Sequence, residues 1–248
     1  MPNSANTPTS ASGFDVRTRL YIWLTGVFVT CLLLANILGV KLFSFHVDLG
    51  GLGRVKVEHT VGMLTFPITF LLTDLLNEYY GKRAARRVTY LAFTMGLLAF
   101  VLIYAARKFP ILSGIPGTAT HESFENIFGA AALMYLASMI AFLFGSLLDI
   151  FIFGVFNRLT KGRMVWLRAT GSTVISQLFD SFIITFVFFV VLQSLTGGKP
   201  ASMAFVLNTA MTGYVLKFVI SVALTPLIYL GRWMIREWLG MSPAAADA

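Results

Sequence analysis

Three polar side chains lie close together in an otherwise apolar part of the sequence. Asp74, Asn77 and Glu78 follow an apolar run that contains Pro67, and they precede the basic string Lys82–Arg87. Their spacing of i, i+3 and i+4 places all three on or beside one face of a helix. Ionisable groups inside a membrane-spanning helix are costly and usually mark a pathway or a binding site. The spacing therefore predicts a functional site here, followed by a basic turn.

A second polar set lies on a later run that is rich in Phe and Ile. Thr173, Gln177 and Asp180 are spaced i, i+4 and i+7, which forms one polar stripe on a helix. Lys217 falls at a similar depth in the last apolar run, so a buried ion pair with Asp180 that only fixes packing is an equal alternative. Asp149 is expected either to contact a ligand or to pair with loop arginines.

Simpler interpretations exist for the remaining polar residues. Glu78 precedes Lys82 by four residues, the favourable order for a helical ion pair, so the first cluster can also be explained by side chains that reach the interface. Asn36 and Asn208 can each serve as a hydrogen-bonding contact between helices.

The composition is that of a polytopic membrane protein. Hydrophobic residues make up 57% of the chain, the mean hydropathy is +0.79, and only 12% of residues are charged. The net charge of +8 does not indicate nucleic-acid binding, because the basic residues fall in loops between apolar runs. The single cysteine, Cys31, excludes an internal disulfide or cysteine metal site.

Six runs are long enough to cross a bilayer, which takes about 20 residues. They are Leu20–Phe43, Thr60–Tyr80, Val88–Ala106, Phe124–Phe156, Arg168–Leu195 and Met203–Tyr229. The fourth exceeds one straight span, so it should begin outside the membrane or be tilted. The sequence thus predicts an all-α integral membrane protein with six transmembrane helices over residues 14–240. A disordered tail at 1–13 and a flexible tail at 241–248 are expected to flank it.

The loops carry the orientation signal. Twelve of the 19 Lys and Arg residues fall on the side of the two termini, and six fall on the other side. The positive-inside rule therefore places both termini in the cytoplasm. On the outward side, alternating polarity around Gly50–Gly53 predicts a small β-hairpin between helices one and two. The string Thr120-His-Glu-Ser predicts the capped start of a short helix.

Several chemistries have no support in the sequence. It holds no phosphate-binding G-x-x-x-x-G-K-[ST] motif and no His-Glu-x-x-His pair. The histidines His46, His59 and His121 lie in or beside outward loops, so no span offers a His to a serine nucleophile. We therefore expect no enzyme activity, no metal site and no cofactor.

Taken together, these motifs resemble the queuosine precursor transporter family, which is also grouped with vitamin uptake transporters. The resemblance rests on three stretches, Ala35–Lys41, Phe66–Lys82 with Arg86, and Gly171–Asp180. The string Thr-Asp-x-x-Asn-Glu-x-Tyr-Gly-Lys is its most specific part, and six spans cover nearly the whole family domain. The outward loop around Gly50–Gly53 is longer than expected for the family.

The resemblance implies an importer of the 7-deazaguanine queuosine precursors preQ0 and preQ1 in the inner membrane, acting without its own ATPase. It also implies a substrate site between helices one, two, five and six, formed by Asn36, Asp74, Asn77, Glu78, Gln177 and Asp180. Asp149 and Lys217 are then candidates for coupling or ion pairing. One alternative is a substrate-binding subunit that needs a separate ATPase partner, and a lesser one is a membrane enzyme. A homodimer is expected because the chain is small and Gly129–Ala132 permits close helix contact.

Overall fold

Helices make up most of the fold. The computed structural model describes residues 15–48, 54–112, 114–129, 131–160 and 164–244, and the tail predicted at 1–13 lies outside them. Its elements in chain order are α1 (Val16–Leu38), β1 (Leu42–Asp48), β2 (Arg54–Thr60), α2 (Phe66–Ala106), α3 (His121–Phe128), α4 (Ala132–Leu159), α5 (Val165–Phe186), α6 (Gln193–Leu195) and α7 (Met203–Leu239). A single π-helical stretch, Val187–Leu192, joins α5 to α6.

Two strands follow α1 and form the only sheet in the described ranges. β1 and β2 pair antiparallel, with Leu42 opposite Thr60 and Asp48 opposite Arg54. The first apolar run was predicted to stay helical to Phe43, but α1 ends at Leu38. The alternating polarity of the next residues favours the strand. The residues predicted to form the turn, Gly50–Gly53, lie outside the described residues.

The second element contains a sharp break at one residue. Gly81 has φ 77° and ψ 170°, whereas the residues on either side are helical. This conformation is reached almost only by glycine, which has no Cβ to clash with the backbone. The predicted basic turn is therefore wrong in position, because Lys82–Arg87 is helical and the break precedes it. Basic side chains favour helix, so charge alone does not end one.

Contacts with α1 show the direction of the chain on both sides of this break. Arg17, at the start of α1, donates to the Tyr79 carbonyl at 2.6 Å. Near the end of α1, a Cβ on Gly62 would meet the Ala35 carbonyl oxygen, and Asn36 shares a cleft with Tyr104. Gly62, well before Gly81, and Tyr104, well after it, thus both approach the end of α1, whereas Tyr79, just before Gly81, lies at its start. The chain reverses direction at Gly81.

Five helical stretches are long and apolar enough to cross a membrane: Val16–Leu38, Val61–Ala106, His121–Leu159, Thr170–Leu195 and Met203–Ala223. The second of them contains the Gly81 break and corresponds to two of the six predicted spans. Large apolar side chains such as Val101, Leu102 and Val219 are exposed on these helices, as expected for surfaces in contact with lipid. The six-span count and its orientation remain predictions.

The short helix α3 begins as predicted. The Thr120 side chain accepts a hydrogen bond from the Ser123 backbone N–H, and the Ser123 side chain accepts one from the Thr120 N–H. This reciprocal cap confirms the expected start, and α3 ends at Phe128 before α4 begins at Ala132. The long fourth run is accordingly split into a short helix and a spanning helix.

Packing places α4 and α5 at the centre of the polar region. α5 packs on α4 and α7, while α2 packs on α1, α4 and α7. The α2–α4 contact is close because Gly96 lacks a side chain, and the Tyr135 hydroxyl donates to the Gly96 carbonyl at 2.9 Å. Polar side chains on α2 and α5 are consequently buried against neighbouring helices instead of facing lipid.

Candidate transport site

The polar cluster of α2 is buried. Asp74, Asn77 and Glu78 are each less than 9% exposed, although they lie within an apolar segment. The Glu78 carboxylate pairs with Arg232 of α7 at 3.1 Å. An ion pair for Glu78 was one of the alternatives considered, but its partner lies on another helix and is not Lys82. The pair fixes α7 against the end of the first half of α2, just before the break at Gly81.

That end of α2 is also where the two ends of the described chain meet. Arg17 of α1 binds the Tyr79 carbonyl, and the Ala244 backbone N–H donates to the Glu78 carbonyl at 2.8 Å. The last carbonyls of a helix have no partner within the helix, so groups from elsewhere must satisfy them. Residues 241–244 of the predicted C-terminal tail therefore supply part of a helix cap.

A second ion pair holds α5 to α7. Lys217 Nζ lies 2.5 Å from Asp180 Oδ2, and both side chains are at most 9% exposed. The predicted contact between Asp180 and Lys217 is therefore present. Gly145 of α4 lies against the same carboxylate, because a Cβ there would stand 3.1 Å from Asp180 Cβ and 3.3 Å from its Oδ1. Three helices therefore meet at Asp180.

One turn along the same α4–α5 contact lies a second buried carboxylate. Asp149 Oδ1 accepts a hydrogen bond from the Ser176 hydroxyl at 3.1 Å, and both residues are buried. Asp149 was predicted to contact a ligand or to pair with loop arginines. Its hydrogen-bond partners are instead hydroxyls of the neighbouring helix α5, those of Ser172, Thr173 and Ser176.

Two amides of the predicted site keep unused hydrogen-bonding capacity. Within the described ranges, Asn77 Nδ2 and Gln177 Oε1 are buried and have no hydrogen-bond partner. Leaving a buried polar atom unsatisfied costs about 1–3 kcal/mol, so such atoms call for an explanation. One is a donor and the other an acceptor, which together suit a ligand that has both kinds of group.

Asn36 lies apart from the other predicted site residues. Its amide donates to the Leu32 carbonyl at 2.9 Å and lies 3.8 Å from Met139 Sδ. It lines a cleft of about 20 Å³, which is room for little more than one water molecule. The cleft includes none of the other five predicted residues. Its lining includes Asn36, Phe100, Tyr104, Arg107, Phe128 and Tyr135.

Sequence reasoning missed the ion pair beside this cleft. Arg107 Nη2 lies 2.6 Å from Glu125 Oε2 and its Nε lies 3.0 Å from Oε1, which is a two-point contact between the end of α2 and α3. The hydrogen bond with Glu125 raises the pKa of the Arg107 guanidinium. A Cβ on Gly129 would stand 2.3 Å from Glu125 Oε2. The missing side chain at this position therefore leaves room for the Glu125 carboxylate. Nothing in the spacing of these residues indicates the contact.

Asn208 also differs from expectation. It was a candidate contact between helices, but its side chain is exposed on α7. The buried polar network therefore involves α2, α4, α5 and α7, with Asn36 of α1 at a separate cleft. Such a network of ionisable groups between spanning helices is the arrangement found along transport pathways.

The comparison with known sequences agrees with this arrangement. The family described as "Putative vitamin uptake transporter" matches residues 60–231, which include both polar clusters, Asp149 of α4 and Lys217 of α7, and end one residue before Arg232. The chain belongs to this transporter family. No solved structure matches the chain significantly.

Individual relatives have more specific names. A protein of Bacillus subtilis named "Probable queuosine precursor transporter" is 35% identical over 87% of this chain and 84% of its own length. One of Haemophilus influenzae with the same name is 27% identical over 67% of this chain and 68% of its own. The Escherichia coli "Queuosine precursor transporter" is 32% identical over 52% of this chain and 55% of its own length. The chain is thus a multi-pass membrane protein of a transporter family, which acts on small molecules.

Proposed function

We propose that this protein imports 7-deazaguanine precursors of queuosine, preQ0 or preQ1, across the cytoplasmic membrane. The observation that carries the proposal is the 35% identity, over most of both chains, to a relative named as a queuosine precursor transporter. The buried polar residues on α2 and α5 support it, because they supply hydrogen-bonding groups inside spanning helices.

The chemistry of these residues suits that cargo. A 7-deazaguanine has adjacent N–H donors on its six-membered ring, and one carboxylate can accept both. The amides of Asn77 and Gln177 can then serve its carbonyl and its remaining polar edge. We place the substrate among the side chains of α2 and α5, with Asn36 on the route to them. The proposed set is Asn36, Asp74, Asn77, Glu78, Gln177 and Asp180.

Passage of such a base requires the helices to move. The cleft at Asn36 has space for about one water molecule, which is far less than a bicyclic base needs. The ion pairs Lys217–Asp180 and Arg232–Glu78 both join α7 to another polar helix. Movement of α7 relative to α2 and α5 would therefore expose the proposed site, as alternating access demands.

Uptake into sealed vesicles tests the function. Purified full-length protein in liposomes should take up labelled preQ1 or preQ0 with no other protein present. Binding without uptake would instead favour a substrate-binding subunit that needs an ATPase partner. Absence of both would contradict the proposal and leave a membrane enzyme or a structural role to be tested.

The two amides give the sharpest test of the site. Asn77→Ala and Gln177→Ala should each weaken binding of the base about tenfold, since a lost hydrogen bond of ~1.4 kcal/mol corresponds to that factor. Melting temperatures should stay near that of the native protein, because Asn77 Nδ2 and Gln177 Oε1 have no hydrogen-bond partner in the described structure. Asn208→Ala, at an exposed amide of α7, is the matched control. Unchanged binding in both test variants would contradict the site.

A further inference from the structure

Asp149 is a buried carboxylate that is held by three hydroxyls of α5, those of Ser172, Thr173 and Ser176. Its side chain is 7% exposed, and Ser176, which is fully buried, approaches its Oδ1 to 3.1 Å. Among the described residues, the ion pairs of this region are Lys217–Asp180 and Arg232–Glu78, and neither includes Asp149. A charged carboxylate away from water is costly without a compensating charge, so a proton or another small cation should bind there during part of the cycle.

The Ser176 hydroxyl has two acceptors within reach. It lies 3.1 Å from Asp149 Oδ1 and 3.1 Å from the backbone carbonyl of Thr173. A hydroxyl has one proton to donate and can also accept a hydrogen bond. It can therefore donate to an ionised Asp149, or donate to Thr173 and accept from a protonated Asp149. Rotation of the Ser176 hydroxyl therefore serves both protonation states, while the Ser172 and Thr173 hydroxyls add further hydrogen bonds to the carboxylate.

The surrounding charges connect Asp149 to the proposed substrate site. On α5, Asp180 lies one helical turn along the same contact, where Gly145 touches it, and Lys217 of α7 neutralises it. On α2, which also packs on α4, the charged residues of this region are Asp74, Glu78 and Lys82. Lys82 lies over the Phe151 ring and near Gly154, about a turn beyond Asp149 on α4. The two cations named here therefore contact other groups: Lys217 pairs with Asp180, and Lys82 lies over Phe151.

We propose that Asp149 binds the proton that drives uptake, and that Ser176 satisfies both of its protonation states. This inference rests on the proposed function and adds the source of energy to it. The proton binds at a carboxylate oxygen on one side of the membrane and is released from that oxygen on the other side. No bond other than the O–H bond is made or broken.

Two assays on reconstituted full-length protein separate this inference from the proposed function. Counterflow exchange of labelled for unlabelled preQ0 needs no gradient and tests transport alone. Net uptake of preQ0 is then measured with the outside more acidic by one pH unit, and valinomycin with potassium clamps the membrane potential. Because preQ0 is neutral, one coupled proton permits accumulation up to about tenfold, the ratio of proton activities.

The variants then assign the coupling to Asp149. Asp149→Asn should keep counterflow but bring preQ0 only to equal concentrations on both sides. Thr185→Val, at a buried hydroxyl of α5 that donates to the Ser181 carbonyl, should accumulate preQ0 like the native protein. Accumulation by Asp149→Asn, or native uptake that follows a sodium gradient and ignores the proton gradient, would overturn the inference. Native protein without counterflow would instead contradict the proposed function.

Ser176→Ala covers the case in which Asp149→Asn does not fold. This substitution removes one hydrogen-bond donor to the ionised Asp149 carboxylate, which makes the protonated form more favourable. Proton-driven uptake should therefore continue to higher pH than in the native protein. A pH profile of initial uptake rates measures this directly, with Thr185→Val again as the control. An unmoved profile in an active Ser176→Ala protein would contradict the role of the hydroxyl and the inference with it.

Discussion

At the scale of single residues, Gly145 makes a close contact between α4 and α5 possible. A Cβ at this position would stand 3.1 Å from Asp180 Cβ, so Gly145→Ala should displace the carboxylate from Lys217. We expect a lower melting temperature and weaker substrate binding. In an ordinary helix the same change stabilises by up to about 1 kcal/mol.

Gly213→Ala provides the comparison, because no atom lies within 4 Å of a Cβ placed there. This variant should melt at or above the temperature of the native protein. If Gly145→Ala behaves in the same way, the close contact with Asp180 has no energetic consequence.

The Asp180–Lys217 pair makes a second residue-scale prediction. Removing one partner leaves a buried charge, which costs about 3–5 kcal/mol, whereas removing both leaves none. Lys217→Met should therefore lower the melting temperature more than the double variant Asp180→Asn with Lys217→Met. Thermal melting in detergent of the two single variants and the double variant measures this coupling. Additive losses would show that the pair contributes no coupling energy.

At the scale of elements, the end of the first half of α2 depends on Gly81. Its φ of 77° and ψ of 170° lie in a region essentially restricted to glycine, and other residues cost of order 1–3 kcal/mol there. Gly81→Ala should lower the melting temperature, while Gly26→Ala, with open space around it, should not. Equal melting temperatures would indicate that the chain does not reverse through this conformation.

Hydropathy alone predicted where the long helices lie in the sequence, but it did not predict where they end. The last apolar run was predicted to end at Tyr229, for example, whereas α7 continues to Leu239. The apolar run before Asp74 predicts a helix because burial of apolar surface in lipid needs no partner. The reversal was placed in the basic string Lys82–Arg87, since charge indicates exposure to water, whereas a backbone angle at Gly81 determines it. The first apolar run was carried to Phe43, although the strand begins at Leu42, because apolar residues suit either structure.

The polar residues of the candidate site were visible in the sequence, but most of their partners were not. Asp74, Asn77, Gln177 and Asp180 stand out because polar groups are rare in apolar runs. The contact of Glu78 with Arg232 joins residues that are 154 positions apart, so it depends on how α2 and α7 pack. The Asp180–Lys217 pair was found in advance because both charges lie deep in predicted spans.

At the scale of the whole molecule, both ends of the described chain contact the last residues of the first half of α2, just before Gly81. Arg17 and Ala244 bind neighbouring carbonyls there, whereas Arg107 and Glu125 pair at the far end of the second half of α2. We predict that both termini face the cytoplasm, so reporter fusions at residues 119 and 248 should report opposite sides of the membrane. The same side for both fusions would contradict the six-span arrangement.

Assembly is the second whole-molecule prediction. We expect a homodimer, although Gly129 is occupied by contacts with Glu125 and Arg107 within the chain, so another surface must form the interface. The exposed apolar side chains of the helices offer ample area. Native mass spectrometry in several detergents and lipids should show twice the mass of 27.3 kDa. A single monomeric mass in all of them would contradict the expectation.

The cap that Ala244 supplies to Glu78 also sets an order of events during biosynthesis. A chain is synthesised from its N-terminus at about 5–20 residues per second. Roughly 10–30 s therefore separate the synthesis of Glu78 from that of Ala244. Until then the Glu78 carbonyl lacks its final partner, and Arg232 has not yet arrived to neutralise the carboxylate. The contacts around Glu78 beside Gly81 are consequently completed only after residue 244 has been synthesised.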